Sequence, residues 1–180
     1  FCTAQLQQPA AEDYGFIHYS RLIFPASDKN FVRLREQSGH DDTLTLSGNG
    51  QKVHIVARRI HPKRSDFSGI SKDKYTARLY QGKPFYGMDS MISKSVFALE
   101  RITLNGQTVP AAELQGLFSP DFAATARGSN VYQGWEAYYR SRDKTLYLFG
   151  RQGSDGNPFS VCFIFKDGKF QRRYLWGAAI

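Results

Sequence analysis

The dipeptide Asp167-Gly168 constrains the fold of this chain more than any other pair of residues in it. Asp-Gly between two runs of alternating apolar and polar residues is one of the strongest short-range hairpin signals, because both positions tolerate the left-handed conformation that a two-residue turn demands. The flanking runs, Phe159 to Lys166 and Lys169 to Trp176, follow two earlier strand candidates, Trp135 to Arg140 and Thr145 to Gln152. Their separators, residues 141–144 and 153–158, are short and rich in Ser, Asp, Gly and Asn. The last third therefore predicts a four-stranded antiparallel meander. In its third strand, Phe159, Val161, Phe163 and Phe165 fall on one side and Cys162 and Ile164 on the other. A strand apolar on both faces is expected at the centre of a sheet covered on both sides.

Upstream the pattern is similar but looser. Tyr14 to Phe24 reads as a strand closed by Pro25, and Asn30 to Arg35 as a short one with Val32 and Leu34 facing in. Thr43 to Leu46 and Lys52 to Ile60 alternate about Ser47-Gly48-Asn49-Gly50, a second hairpin in which Val53, Ile55 and Ala57 share one face. Pro62 to Lys74 is polar and predicts an exposed loop, Tyr75 to Gln81 a strand, and Lys83 through Ser90 another loop. Val96 to Leu104 is extended up to the Asn105-Gly106 turn, with Phe97, Leu99 and Arg101 opposite Val96, Ala98 and Ile102. Pro110 suits the first position of a short helix over Ala111 to Leu117, and a second helical turn is predicted over Asp121 to Ala126. The expected fold class is mainly β (a β-rich α+β chain): a single antiparallel β-sandwich or strongly curved sheet, with one or two short helices near 110–127. Residues 1–13 read as a tail and 14–180 as one domain. The 14 Phe, 10 Tyr and 2 Trp agree with sheet over helix.

Charge is the second constraint. The chain carries 24 Lys and Arg against 16 Asp and Glu, a net charge of +8. Between residues 52 and 78, eight cations face only Asp66 and Asp73, so most of the excess lies in one segment. Arg58, Arg59, Lys63, Arg64, Lys74 and Arg78 are the residues expected to meet an anionic partner. Phe67, Tyr75 and Tyr80 lie among them and are aromatic enough to stack on bases, yet no RNA-binding sheet signature accompanies them, and nucleic acid is not the expected partner.

Two cysteines, Cys2 and Cys162, stand far apart. A disulfide between them would close a very long loop and constrain the unfolded chain by roughly 4–5 kcal/mol in the entropy model. Such bonds persist in oxidising compartments. A lipid-bearing Cys2 followed by a Gln/Ala/Pro tether is the alternative, and an initial Phe fits removal of a leader. Each leads to the same expectation, a periplasmic or secreted protein. No run of apolar residues reaches the ~18 that a membrane-spanning helix needs.

No chemical signature accompanies these features. The four histidines, His18, His40, His54 and His61, lack metal-ligand spacing, and His40-Asp41-Asp42 sits in a polar turn. Ser71-Lys72-Asp73-Lys74 matches a Ser-x-x-Lys pattern in a charged loop where no helix would hold it. Gly153-Ser154-Asp155-Gly156-Asn157 is calcium-like in composition without the full loop pattern. Glu100, Glu113, Asp121 and Glu136 carry no spacing that pairs them for acid–base work. No cofactor and no metal are expected. The expected function is an exported, non-enzymatic binding protein of the inhibitor or immunity type, which docks a secreted toxin or other protein with an acidic surface. Binding of an anionic surface or polymer, such as lipopolysaccharide or lipid headgroups, is the second expectation. A hydrolase with a site assembled from distant residues is the third.

Overall fold

Alternation of period two, broken by left-handed turns, produces thirteen strands in the computed structural model, which describes residues 31–72, 77–88, 94–120, 122, 134–152 and 159–177. In chain order these are β1 (Phe31–Arg33), β2 (Arg35–Gly39), β3 (Thr43–Gly48), β4 (Gln51–Ile60), β5 (Phe67–Ser68), β6 (Leu79–Tyr80), β7 (Lys83–Pro84), β8 (Val96–Leu104), β9 (Gln107–Thr108), β10 (Trp135–Arg140), β11 (Thr145–Gln152), β12 (Phe159–Lys166) and β13 (Lys169–Gly177). Helix is confined, among the described residues, to two 3-10 turns at Arg64–Asp66 and Ala111–Glu113.

The strands form two five-stranded antiparallel sheets, β1-β10-β11-β12-β13 and β2-β3-β4-β8-β9, and a three-stranded one, β5-β6-β7. The chain passes from the first sheet to the second through one residue. Leu34, between β1 and β2, is buried and donates its N–H to the Ala137 carbonyl at 2.9 Å. A strand that switches sheets in this way makes the corner of a sandwich.

One shared core joins the two larger sheets. From the second come Leu44, Leu46, Val53, Ile55, Ile102 and Leu104; from the first come Trp135, Ala137, Leu146, Leu148, Phe163 and Phe165. Trp135 lies at its centre, fully buried, stacked on Phe163 at 6.4 Å between ring centroids and edge-on to Phe122 at 6.0 Å. Its cross-strand partner is Gly150. A Cβ at that position would fall 2.5 Å from the indole Cζ2, so the indole occupies the volume a side chain would need. The other face of the first sheet is apolar as well: Tyr138, Tyr147, Cys162, Ile164 and Tyr174 form a second buried cluster. Both faces of β12 are thus covered, as its sequence predicts.

Beside that cluster, Arg140 is held between the rings of Phe31 (5.6 Å) and Tyr147 (5.3 Å). It donates two hydrogen bonds to the Asp143 carboxylate, at 2.9 and 2.5 Å, across the β10–β11 turn. Burial pushes the Asp143 carboxyl up, but the hydrogen bonds and charge of Arg140, with those of Thr145, outweigh it and hold the group below the usual carboxylate value.

Several local expectations change. Val32 does not face in; it is 37% exposed, and Leu34 alone is buried. The face alternation of β8 breaks at Glu100, where the register against β4 shifts between Val56 and Ala57, so that Leu99 and Ile102 both point inward. The helix expected over 111–117 is the single turn Ala111–Glu113. Gly116 adopts a left-handed φ of 80° and packs where a Cβ would lie 2.8 Å from the Pro84 carbonyl, so the chain turns away instead of continuing. Over its described residues, 62–72, the stretch expected as an open loop from Pro62 to Lys74 is folded. It contains a 3-10 turn and β5, and it buries Phe67. Of the strand expected over 75–81 only Leu79–Tyr80 is strand, with 73–76 outside the described residues. The expected strand at 14–24, the second helical turn apart from Phe122, and the 153–157 loop also lie outside them. No disulfide joins described residues, and Cys2 is not among them; Cys162 is buried in β12.

Two predictions follow the packing and the ion pair. Gly150→Ala forces a methyl into the indole and should lower unfolding free energy by ~1–3 kcal/mol, read as a lower urea midpoint. Asp143, with a depressed folded-state value, contributes stability that is present above the unfolded carboxylate range and lost as pH falls through the folded one. The gap in stability between wild type and Asp143→Asn should therefore be about 1 kcal/mol at neutral pH, discounted for partial exposure, and should close in acid.

Candidate functional site

Between β4 and β8 the chain makes a long excursion whose ends are clamped by the Ile60–Val96 pair. It folds on itself. Lys63 caps the Arg64–Asp66 turn: its backbone N–H donates to the Asp66 carboxylate at 2.7 Å, and the Asp66 N–H donates to the Lys63 carbonyl at 2.9 Å. The following residues pair as β5-β6-β7, with the Arg78 N–H donating to the Ser68 carbonyl and the Gln81 N–H to the Asp66 carbonyl. Gln81 and Gly82 both adopt positive φ, the two-residue turn that a right-twisted hairpin favours.

A separate apolar cluster supports this module. Phe67, Ala77, Met88, Val96 and Phe118 are buried, with Ile60, Ile70, Tyr80, Phe85 and Ala98 packed on them. Four rings meet edge to face: Phe67–Tyr80 at 5.4 Å, Phe67–Phe85 at 5.8 Å, Tyr80–Phe118 at 5.2 Å and Phe85–Phe118 at 6.1 Å. Aromatic pairs in this arrangement contribute roughly 0.5–1.5 kcal/mol each beyond their area. Burial, then the nearby Asp66 charge, raises the Tyr80 phenol above its usual value, so it stays neutral and keeps its place in the cluster.

The expected basic residues distribute over this frame. Arg58 and Arg59 lie at the end of β4 where the excursion begins, and both are exposed. Strand alternation sends them to opposite faces. Arg58 approaches Glu100 at 3.8 Å with both side chains substantially exposed, an ion pair of little energetic weight. Arg59 sits 4.9 Å over the Phe97 ring. Lys63 and Arg64 are exposed on the 3-10 turn, and Arg78 is exposed beside β6. Lys74 and Tyr75 lie outside the described residues. Lys63, Arg64 and Arg78 therefore share one folded unit, and Arg58 and Arg59 stand at its root.

Of the carboxylates considered for acid–base chemistry, the three that are described are dispersed, each beside an arginine. Glu100 faces Arg58, Glu113 lies 3.5 Å from Arg173, and Glu136 lies 2.6 Å from Arg33. The Glu136 carboxyl is raised by burial, against the opposing pull of Arg33 and the Tyr138 hydroxyl. Asp121 is outside the described residues. Among those described, no three His, Cys, Asp or Glu side chains are grouped to hold a metal ion.

Sequence reasoning missed a second polar surface. On the outer face of the β2-β3-β4-β8-β9 sheet, Thr45, Lys52, His54, Thr103, Asn105 and Gly106 line a concavity of about 440 Å³. Only strand register brings these residues together, so no spacing in the chain announces them. Compared with known protein families, curated proteins and solved structures, the chain finds no match.

If the aromatic cluster holds the basic module in shape, Tyr80→Ala should raise the rate of tryptic cleavage after Lys63 and Arg64 by about tenfold, for a loss of ~1.4 kcal/mol of local stability. The far-UV spectrum of the two larger sheets should not change.

Proposed function

We propose that this protein is a non-enzymatic binding protein that docks an acidic face of another protein through the basic module between β4 and β8. The observation that carries this reading is that the cations stand on a folded, aromatic-cored unit instead of a loose loop. A surface already ordered before encounter loses less side-chain and backbone freedom on binding. Arg and aromatic side chains are favoured anchors in protein interfaces, and here Arg59 lies over the Phe97 ring while Arg64 precedes the buried Phe67 by three residues. The charge also steers an acidic partner toward the module at long range. In the exported setting expected from its sequence, the role that suits such a surface is inhibition of a secreted toxin or enzyme, the immunity-type function.

The test is a pull-down with tagged protein from periplasmic and secreted extracts at low salt and at ~0.3 M, where the Debye length is roughly 6 Å. One stoichiometric protein retained at both salts is the expected result. Arg58→Glu with Arg64→Glu should then weaken that partner by about 100-fold or more, ~3 kcal/mol, without lowering the melting temperature. Retention of the partner by the double variant would remove the module from the interface. Recovery of salt-labile polyanions alone would replace the protein partner with an anionic polymer or surface, whose binding falls steeply with salt.

A further inference from the structure

The outer face of the β2-β3-β4-β8-β9 sheet carries a polar row that packing does not require. Cross-strand register aligns Ser38, Thr45, His54, Thr103 and Thr108 in one line over all five strands. Polar residues on a sheet's solvent face are ordinary. A concavity at the middle of the row is not, and its lining has a consistent chemistry.

The six lining residues include one ammonium group, one imidazole and two hydroxyls, and no carboxylate and no Phe, Tyr or Trp. Without carboxylates the site does not suit a hard cation such as calcium or magnesium. Without Phe, Tyr or Trp it offers no broad platform on which a sugar or base would stack. What it presents is hydrogen-bond donors and positive charge, the requirement of a group whose exposed atoms are all acceptors. The face also carries three arginines: Arg35 of β2, opposite Ser47, Arg58 of β4, opposite Ala98, and Arg101 of β8, opposite Val56. The nearest acid along β8, Glu100, sits in the bulge beside Arg58.

The donors are also held in position. Thr45, only 8% exposed, lies 3.0 Å from His54 Nδ1 through its hydroxyl oxygen, which orients the ring and leaves Nε2 as the nitrogen available to a ligand. At the rim, the Lys52 N–H donates to Asn105 Oδ1 at 2.7 Å and the Asn105 N–H donates to the Lys52 carbonyl at 2.9 Å. Asn105 Nδ2 donates to Gln51 Oε1 at 3.0 Å, so this side chain braces the turn.

We propose that this concavity is a binding site for a tetrahedral oxyanion, a phosphate or sulfate group, held by the Lys52 ammonium, the His54 imidazole and the Thr103 hydroxyl, with Thr45 orienting the His54 ring. The site is separate from the basic module and does not depend on its role.

The test is a titration of ¹⁵N-labelled full chain with sodium phosphate, sodium sulfate or glycerol phosphate, each against sodium chloride at equal ionic strength and followed by amide NMR. Saturable shifts at Thr45, Lys52, His54 and Thr103, with half-saturation of about 1–10 mM for the free ion, are the expected result. Lys52→Gln with Thr103→Val, a pair that keeps the strand's β-branched side chain, should raise half-saturation about tenfold and leave the remaining spectrum in place. Tighter binding of glycerol phosphate than of the inorganic ions would assign the site to a phosphomonoester, and equal binding to the free ion. Shifts that rise linearly without saturating, that centre on residues 58–64, or that survive the double variant unchanged would overturn the proposal.

Discussion

The indole of Trp135 occupies the centre of the sandwich because its neighbour across the ladder, Gly150, has no side chain to exclude it. Stacked on Phe163 and edged by Phe122, the ring bridges the inner surface of the meander to the aliphatic face of β3, β4 and β8. Once that face is committed, register is committed with it, since a slip of one residue would turn every inward side chain out. Leu44, Ile55 and Ile102 stand in line, and Leu46, Val53 and Leu104 beside them. The same register places Ile60 against Val96 and so clamps the two ends of the excursion that carries the basic residues.

That excursion is long, and closing it costs entropy that grows only slowly with length. Its own cluster around Phe67, Tyr80, Phe85 and Phe118 offsets the cost locally. Asp66 is engaged by the cap of its own turn, and Glu100 makes only a long, exposed approach to Arg58. Elsewhere arginines are consumed structurally, as Arg140 is between two rings and the Asp143 carboxylate, and Arg173 is beside Glu113.

How much of this was legible in the chain depends on whether the signal was local. The meander could be read because Asp167-Gly168 and strict alternation are properties of adjacent residues. β4 could be read for the same reason, down to the inward set Val53, Ile55 and Ala57. The bulge at Glu100 could not, because it arises from the pairing of β8 with β4. Residues 62–74 read as open because Ser, Lys, Asp and Gly dominate them, while the residues that fold them, Phe85 and Phe118, lie far along the chain. The Gln81-Gly82 turn lacked the usual Asn or Asp. Of the two candidate sites, the basic one showed itself as a local excess of charge. The polar concavity draws one or two residues from each of three strands and the β8–β9 turn, and leaves no trace at any fixed spacing.

The central claim is that the basic module is ordered before any partner arrives, and amide hydrogen exchange of the free protein tests it most directly. The N–H groups of Asp66, Arg78 and Gln81 donate to the Lys63, Ser68 and Asp66 carbonyls. Protection at these three amides approaching that of the edge strands of the larger sheets is the result the account predicts. Exchange at the rate of an unstructured peptide would contradict it, and would make the cations a flexible segment that orders only on binding.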